Sequence, residues 1–79
     1  MQEIKPGLYQ HYKGGRYRVL HPLAHHSETL EDMVVYQALY ESEDFGKDAI
    51  WVRPAGMFLE EVEVDGKMVP RFKNIDENN

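Results

Sequence analysis

Turn signals recur closely along most of this chain and leave mainly short segments between them. Lys5-Pro6-Gly7, Lys13-Gly14-Gly15-Arg16, Glu41 to Gly46, Pro54-Ala55-Gly56 and Asp65-Gly66 each read as a reversal or a stop, because glycine tolerates positive φ and proline withholds a backbone N–H. The segments between them are short and rich in aromatic and β-branched residues, the composition of strands. Leu8-Tyr12, Tyr17-His21, Met33-Tyr40, Ile50-Arg53, Met57-Val64 and Lys67-Phe72 are the predicted strands. Five or six strands at this spacing predict a mainly β domain, a small antiparallel barrel or sandwich with at most a short helical turn.

Within the strands the side-chain alternation sets faces. Tyr17, Val19 and His21 fall on one side of their strand, with Pro22 marking an edge, a bulge or its end. Phe58, Val62 and Val64 share a face opposite Glu61 and Glu63, and Glu60 breaks that pattern as a bulge or a strand end would. If Glu60 faces inward, Arg53 or a histidine is the expected partner, since an unpaired buried charge is costly. Leu30, Met33, Val34, Gln37 and Ala38 also fit a helical stripe that Thr29 and Asp32 would cap; Val34-Val35-Tyr36 favours the strand. Pro70 argues for an edge strand, and the polar residues 74–79 read as a frayed tail.

At 79 residues the chain supports one domain over 1–79, with an ordered core of about 6–73. Trp51, the phenylalanines and most tyrosines must build that core, and one or two tyrosines are left for the surface. Cysteine is absent, which excludes disulfides, thiol nucleophiles and thiolate metal sites and matches a reducing cytoplasm. The first residues lack the apolar run of a signal peptide, and no window approaches the roughly 20 apolar residues of a membrane span. A net charge of -5 argues against broad nucleic-acid binding. Lys5, Lys13, Arg16 and Arg18 nevertheless gather in the first quarter, near His11, His21, His25 and His26.

A resemblance adds to this reading. Gly7-x-Tyr9-x-His11-Tyr12-Lys13-Gly14, Tyr17-Arg18-Val19-Leu20, His26-Ser27-Glu28-Thr29-Leu30-Glu31 and Val34-Val35-Tyr36-Gln37-Ala38-Leu39-Tyr40 come first. Trp51-Val52-Arg53-Pro54, Met57-Phe58, Val64-Asp65-Gly66 and Pro70-Arg71-Phe72 extend the series. Over about residues 7 to 72 the set resembles the bacterial family termed domain of unknown function 1653. The resemblance implies a small SH3-like barrel and carries no catalytic residues to transfer. Relative to that pattern the Pro22 to His26 region is slightly longer and residues 41–49 are more acidic.

Two functions from different classes compete. The first is a non-enzymatic binding or interaction module presenting Tyr9, His11, Tyr12, Lys13, His26, Ser27, Glu28, Tyr36, Trp51 and Arg53 as an aromatic-basic surface. Such a surface suits a peptide, a single-stranded nucleic acid or a small anion. The second is a small hydrolase or metal-dependent enzyme centred on His25, His26, Ser27 and Glu28. No nucleophile motif accompanies those residues, and Ser27-Glu28-Thr29 reads as a turn whose hydroxyls bond backbone N–H groups. Neither a cofactor nor a physiological metal is expected. An open edge at Leu8-Tyr12 or residues 67–72 would allow a homodimer.

Overall fold

The computed structural model describes residues 4–76, which form nine strands and one helical turn. The strands are β1 (Gly7–His11), β2 (Arg16–His25), β3 (Asp32–Ala38), β4 (Glu41–Ser42), β5 (Gly46–Lys47), β6 (Ile50–Pro54), β7 (Glu61–Val64), β8 (Lys67–Pro70) and β9 (Phe72–Asn74), with α1 (Ala55–Phe58) between β6 and β7. A five-stranded antiparallel sheet in the order β6-β3-β2-β1-β9 is the frame, and β4-β5 and β7-β8 are separate hairpins. The mainly β prediction holds. No helix is long and apolar enough to cross a membrane.

The helical reading of residues 30–38 loses to the strand for a visible reason. Val34, Tyr36 and Ala38 are buried while Met33, Val35 and Gln37 are only partly covered, a period of two that a helix cannot produce. Leu30, the first residue of the supposed stripe, lies exposed at φ 63 at the end of a turn. In β2 the alternation is broken deliberately. Register shifts between Val19 and His21 and again between His21 and Ala24 each insert an extra residue around Pro22, which has no N–H to give the ladder. His21 therefore turns out to the exposed face instead of sharing the side of Tyr17 and Val19 as predicted.

Two boundaries differ from the sequence reading. The predicted strand from Met57 is a turn of α-helix from Ala55 to Phe58, with Leu59 N–H donating to the Ala55 carbonyl at 3.1 Å, and β7 starts only at Glu61. That turn drops the Phe58 ring onto the sheet's concave face, which a continuing strand could not do. Residues 74–76 are likewise not a frayed tail. Asn74 pairs with Tyr9, Ile75 N–H donates to the Leu8 carbonyl at 2.9 Å, and the Asp76 carboxylate accepts from Leu8 N–H at 3.2 Å. The remainder of that prediction, residues 77–79, lies outside the described residues.

Asp65 and Gly66 form the expected two-residue hairpin loop, both at positive φ (53 and 80), the backbone a tight β-hairpin requires. The 41–46 segment, read as a loop, contains the small β4-β5 hairpin. Arg71 breaks the Lys67-Phe72 strand, so β8 stays with β7 while Phe72 crosses to pair with β1. One consequence is that β1 is interior and offers no edge at Leu8-Tyr12 for a second chain.

The ladder does not close into the expected barrel, since β6 and β9 are edges without a hydrogen bond between them. Five strands laid flat would hold those edges about 19 Å apart at about 4.8 Å per step. Yet the Arg53 guanidinium of β6 stands 5.4 Å from the Phe72 ring of β9, so the sheet is strongly curled. Inside the curl sit Tyr9, Val19, Val34, Tyr36, Phe58 and Phe72, with Ile4, Tyr17, Trp51 and Ala55 packed against them. Phe58 stacks on Phe72 at 4.3 Å and meets Tyr9 and Tyr36 edge-on at 5.3 and 5.7 Å.

Gly7 allows a first test of this frame. It sits at φ 126, and a Cβ there would run into the Asp76 carboxylate. Gly7→Ala is expected to cost about 1–3 kcal/mol from backbone strain, with the Leu8–Asp76 bond lost as well; the shift in urea midpoint measures it, and an unchanged midpoint would contradict this geometry.

Candidate functional site

The candidate residues separate into three places. Tyr9 and Tyr36 are core: both are buried, and the Tyr9 hydroxyl donates to the Lys5 carbonyl at 2.8 Å. His26, Ser27 and Glu28 belong to the turn closing the β2-β3 hairpin, with His26 N–H bonded to the Glu31 carbonyl at 2.9 Å. His11, Tyr12 and Lys13 lie at the other end of that hairpin, and Arg53, whose backbone pairs with Val34 nearer the 26–31 turn, sends its guanidinium toward them to stand 5.4 Å from the Phe72 ring.

In the 26–31 turn the imidazole is a structural cap. His26 Nδ1 accepts from Glu28 N–H at 3.1 Å and Thr29 N–H at 3.3 Å, and Thr29 Oγ1 accepts from Glu31 N–H at 3.2 Å. Backbone capping by the turn's own side chains was expected, although His26 does part of what was assigned to the hydroxyls. His25 turns away to an exposed pair with Asp32 at 3.3 Å. Among the described residues no three His, Cys, Asp or Glu side chains converge as metal ligands would.

The other end is where aromatic and basic groups come together. Tyr9, His11, Tyr17, Tyr36, Trp51, Arg53 and Phe72 share the concave face through the registers Tyr9↔Tyr17, His11↔Phe72 and Tyr36↔Trp51. The His11 ring lies 4.6 Å from Tyr12 and 4.9 Å from Phe72. Lys13 Nζ stands 5.8 Å and the Arg71 guanidinium 6.0 Å from the Tyr12 ring, within cation–π range. Tyr12 and Tyr40 are the surface tyrosines. Trp51 is half-buried and covered by Phe45, edge-on at 4.9 Å, from the β4-β5 tip.

Three contributors went unnamed in the sequence reading of this site. Arg71 follows Pro70 at the bend out of the β7-β8 hairpin and reaches Glu60 at 3.2 Å; Glu60 is exposed, so the inward placement that would have called for Arg53 or a histidine does not arise. Among the described residues, the buried Nε of Arg71 is the side-chain polar atom left without a partner, a state that calls for an explanation. Tyr17 and Tyr40 share a 2.6 Å hydroxyl hydrogen bond. The in-phase position of Tyr17 beside Val19 was a usable signal for its inward side; nothing local foretold that Arg71 would leave its strand.

The electrostatics of this mouth follow from that crowding. Partial burial and the charges of Arg53, Arg71 and Lys13 hold the His11 pKa below 6.5. Lys13 N–H donates to His11 Nδ1 at 3.2 Å, so the neutral ring carries its hydrogen on Nε2. Burial raises the phenols of Tyr17 and Tyr36, helped at Tyr17 by the bond to Tyr40 and opposed at Tyr36 by Arg53.

Both phenols stay protonated in the folded protein after the unfolded chain has begun to ionise near 10.0. Their contribution to stability is complete below that pH and drains away as pH rises above it. Tyrosine ultraviolet titration should accordingly resolve a late-ionising group that is absent from Tyr17→Phe. A single titration at ordinary phenol pH would contradict the shared bond.

The comparisons with known proteins agree with the fold. The model of a family described as protein of unknown function, DUF1653, matches residues 7–74. The crystal structure of a protein of that family from Bordetella bronchiseptica is similar, with a TM-score of 0.82 and 36% identity over 95% of this chain and 91% of that one. Among curated proteins none matches.

Proposed function

The chain belongs to the DUF1653 family of proteins of unknown function, and we propose that it is a non-enzymatic binding module whose ligand docks at the concave mouth around His11, Tyr12, Lys13 and Arg53. One observation carries the reading. In a chain of net charge -5, the cations Lys13, Arg71 and Arg53 stand 5.8, 6.0 and 5.4 Å from the Tyr12 and Phe72 rings that flank the His11 imidazole, and Tyr12 is exposed. Exposed ring area gives a ligand apolar contact and the cations give it orientation. The overall negative charge disfavours long polyanions at this mouth. A peptide, a short single strand or a small molecule with a negative group fits better.

We read the curled, unclosed sheet as an SH3-like barrel left partly open, and the cysteine-free composition as suited to the cytoplasm. His26, Ser27 and Glu28 stand outside the docking surface in this reading.

The test is a backbone NMR titration with short acidic peptides and oligonucleotides at millimolar concentration. Shifts confined to residues 11–17, Tyr40, Arg53 and Arg71 are expected, and Tyr12→Ala should weaken them while preserving the spectrum elsewhere. Shifts centred on residues 25–29, or none with either ligand class, would overturn the proposal.

A further inference from the structure

Four basic groups surround the mouth from three directions: His11 and Lys13 at the β1-β2 turn, Arg53 from β6, and Arg71 from the bend before β9. The carboxylate paired with any of them here is Glu60, on Arg71 Nη2, and it is half exposed. Arg53 lies over Phe72. Arg71 keeps its buried Nε without an acceptor. The His11 Nδ1 is occupied by Lys13 N–H, which leaves an N–H donor on the opposite edge of the ring. The site thus holds more donors than acceptors.

We propose that the mouth takes a small oxyanion, a carboxylate or a phosphate-like group, held by Arg53, Arg71 and the His11 Nε2–H. This rests on the binding-module reading and specifies the chemistry of its ligand. Guanidinium groups match the planar, multi-oxygen edge of such anions, and Tyr12 with Phe72 would pack whatever carries the anion.

A linkage follows. The groups facing His11 are Lys13 from its own turn, Arg53, Arg71, and the neutral Tyr12 and Tyr17 rings. The three cations oppose its protonation; a bound anion offsets them, so the His11 midpoint must rise on binding and the anion must bind more tightly as pH falls. Protonation at Nδ1 also releases Lys13 N–H, so the turn at residues 12–15 should change with it.

The experiment follows the imidazole carbon resonances of His11 by NMR against pH, in chloride and in sulfate or acetate at matched ionic strength. Sulfate stands for tetrahedral anions and acetate for carboxylates, and neither changes charge between about pH 5.5 and 7.5. In chloride the midpoint should lie below 6.5; with the preferred anion it should rise, each unit meaning about tenfold tighter binding to the protonated ring. Arg53→Met and Arg71→Met should abolish the anion-dependent part, and Arg71→Lys should restore less than half of it. A His11 midpoint unchanged by both anions overturns the inference. If peptides or oligonucleotides still shift residues 11–17 in that case, the binding module stands without its oxyanion; if they do not, both fall.

Discussion

Phe58→Ala is expected to remove a large part of the protein's stability. The ring is 2% exposed, stacks on Phe72 and meets Tyr9 and Tyr36, and it is the buried residue that α1 contributes to the core. Truncating a buried phenylalanine costs about 3–5 kcal/mol. A domain of 79 residues has only about 4–12 kcal/mol in total, at about 0.05–0.15 per residue. Little relaxation can fill the gap, because a four-residue helix held by one turn has no second apolar side chain buried beside it. Urea unfolding followed by Trp51 fluorescence measures the loss. A drop below about 1 kcal/mol would mean that α1 is not the lid of the core.

Arg53→Met should have the largest effect on the mouth while sparing the fold. Methionine keeps much of the stem packed over Phe72 and removes the charge. The His11 midpoint should move up toward 6.5, because Arg53 is the leading charge depressing it, and the Tyr36 phenol should move further up, because Arg53 is what opposes its rise. These are opposite groups responding in one direction to one deleted cation, a pattern that general destabilisation does not produce. Ligand affinity should fall about 10- to 100-fold, the worth of one charged hydrogen bond at about 1.5–3 kcal/mol. NMR titration of both groups in the variant decides it, and unmoved midpoints would separate Arg53 from the site.

Much of the strand layout was legible. Gly14-Gly15, Pro54 and Asp65-Gly66 mark reversals through φ limits and missing N–H groups, which act within a few residues and need no tertiary partner. The helix-strand ambiguity at residues 30–38 was also decidable from Val34-Val35-Tyr36. What could not be read were events that depend on a distant surface. Pro22 announced an irregularity, but it is the residue inserted before it, between Val19 and His21, that decides that His21 points out. Phe58 fits a strand face as well as a helical turn, and only the open concavity over Phe72 favours the turn.

The candidate site was half visible for the same reason. His11, Tyr12 and Lys13 are neighbours in sequence, and Arg53 was named beside them as a possible surface. His26, Ser27 and Glu28 looked equally chemical by type, yet they serve a hairpin turn at the far end of β2 and β3. Arg71 and Tyr40 were invisible as members because each enters through a chain reversal.

By itself, then, the sequence determined a cysteine-free, mainly β domain and its principal turns, since local backbone sterics and side-chain alternation act at short range. The tertiary structure decided the rest. Curling five strands until β6 faces β9 across a shared aromatic core is a collective outcome of packing that carries Arg53 toward His11, and the long-range pairing of β9 with β1 sets Arg71 beside it.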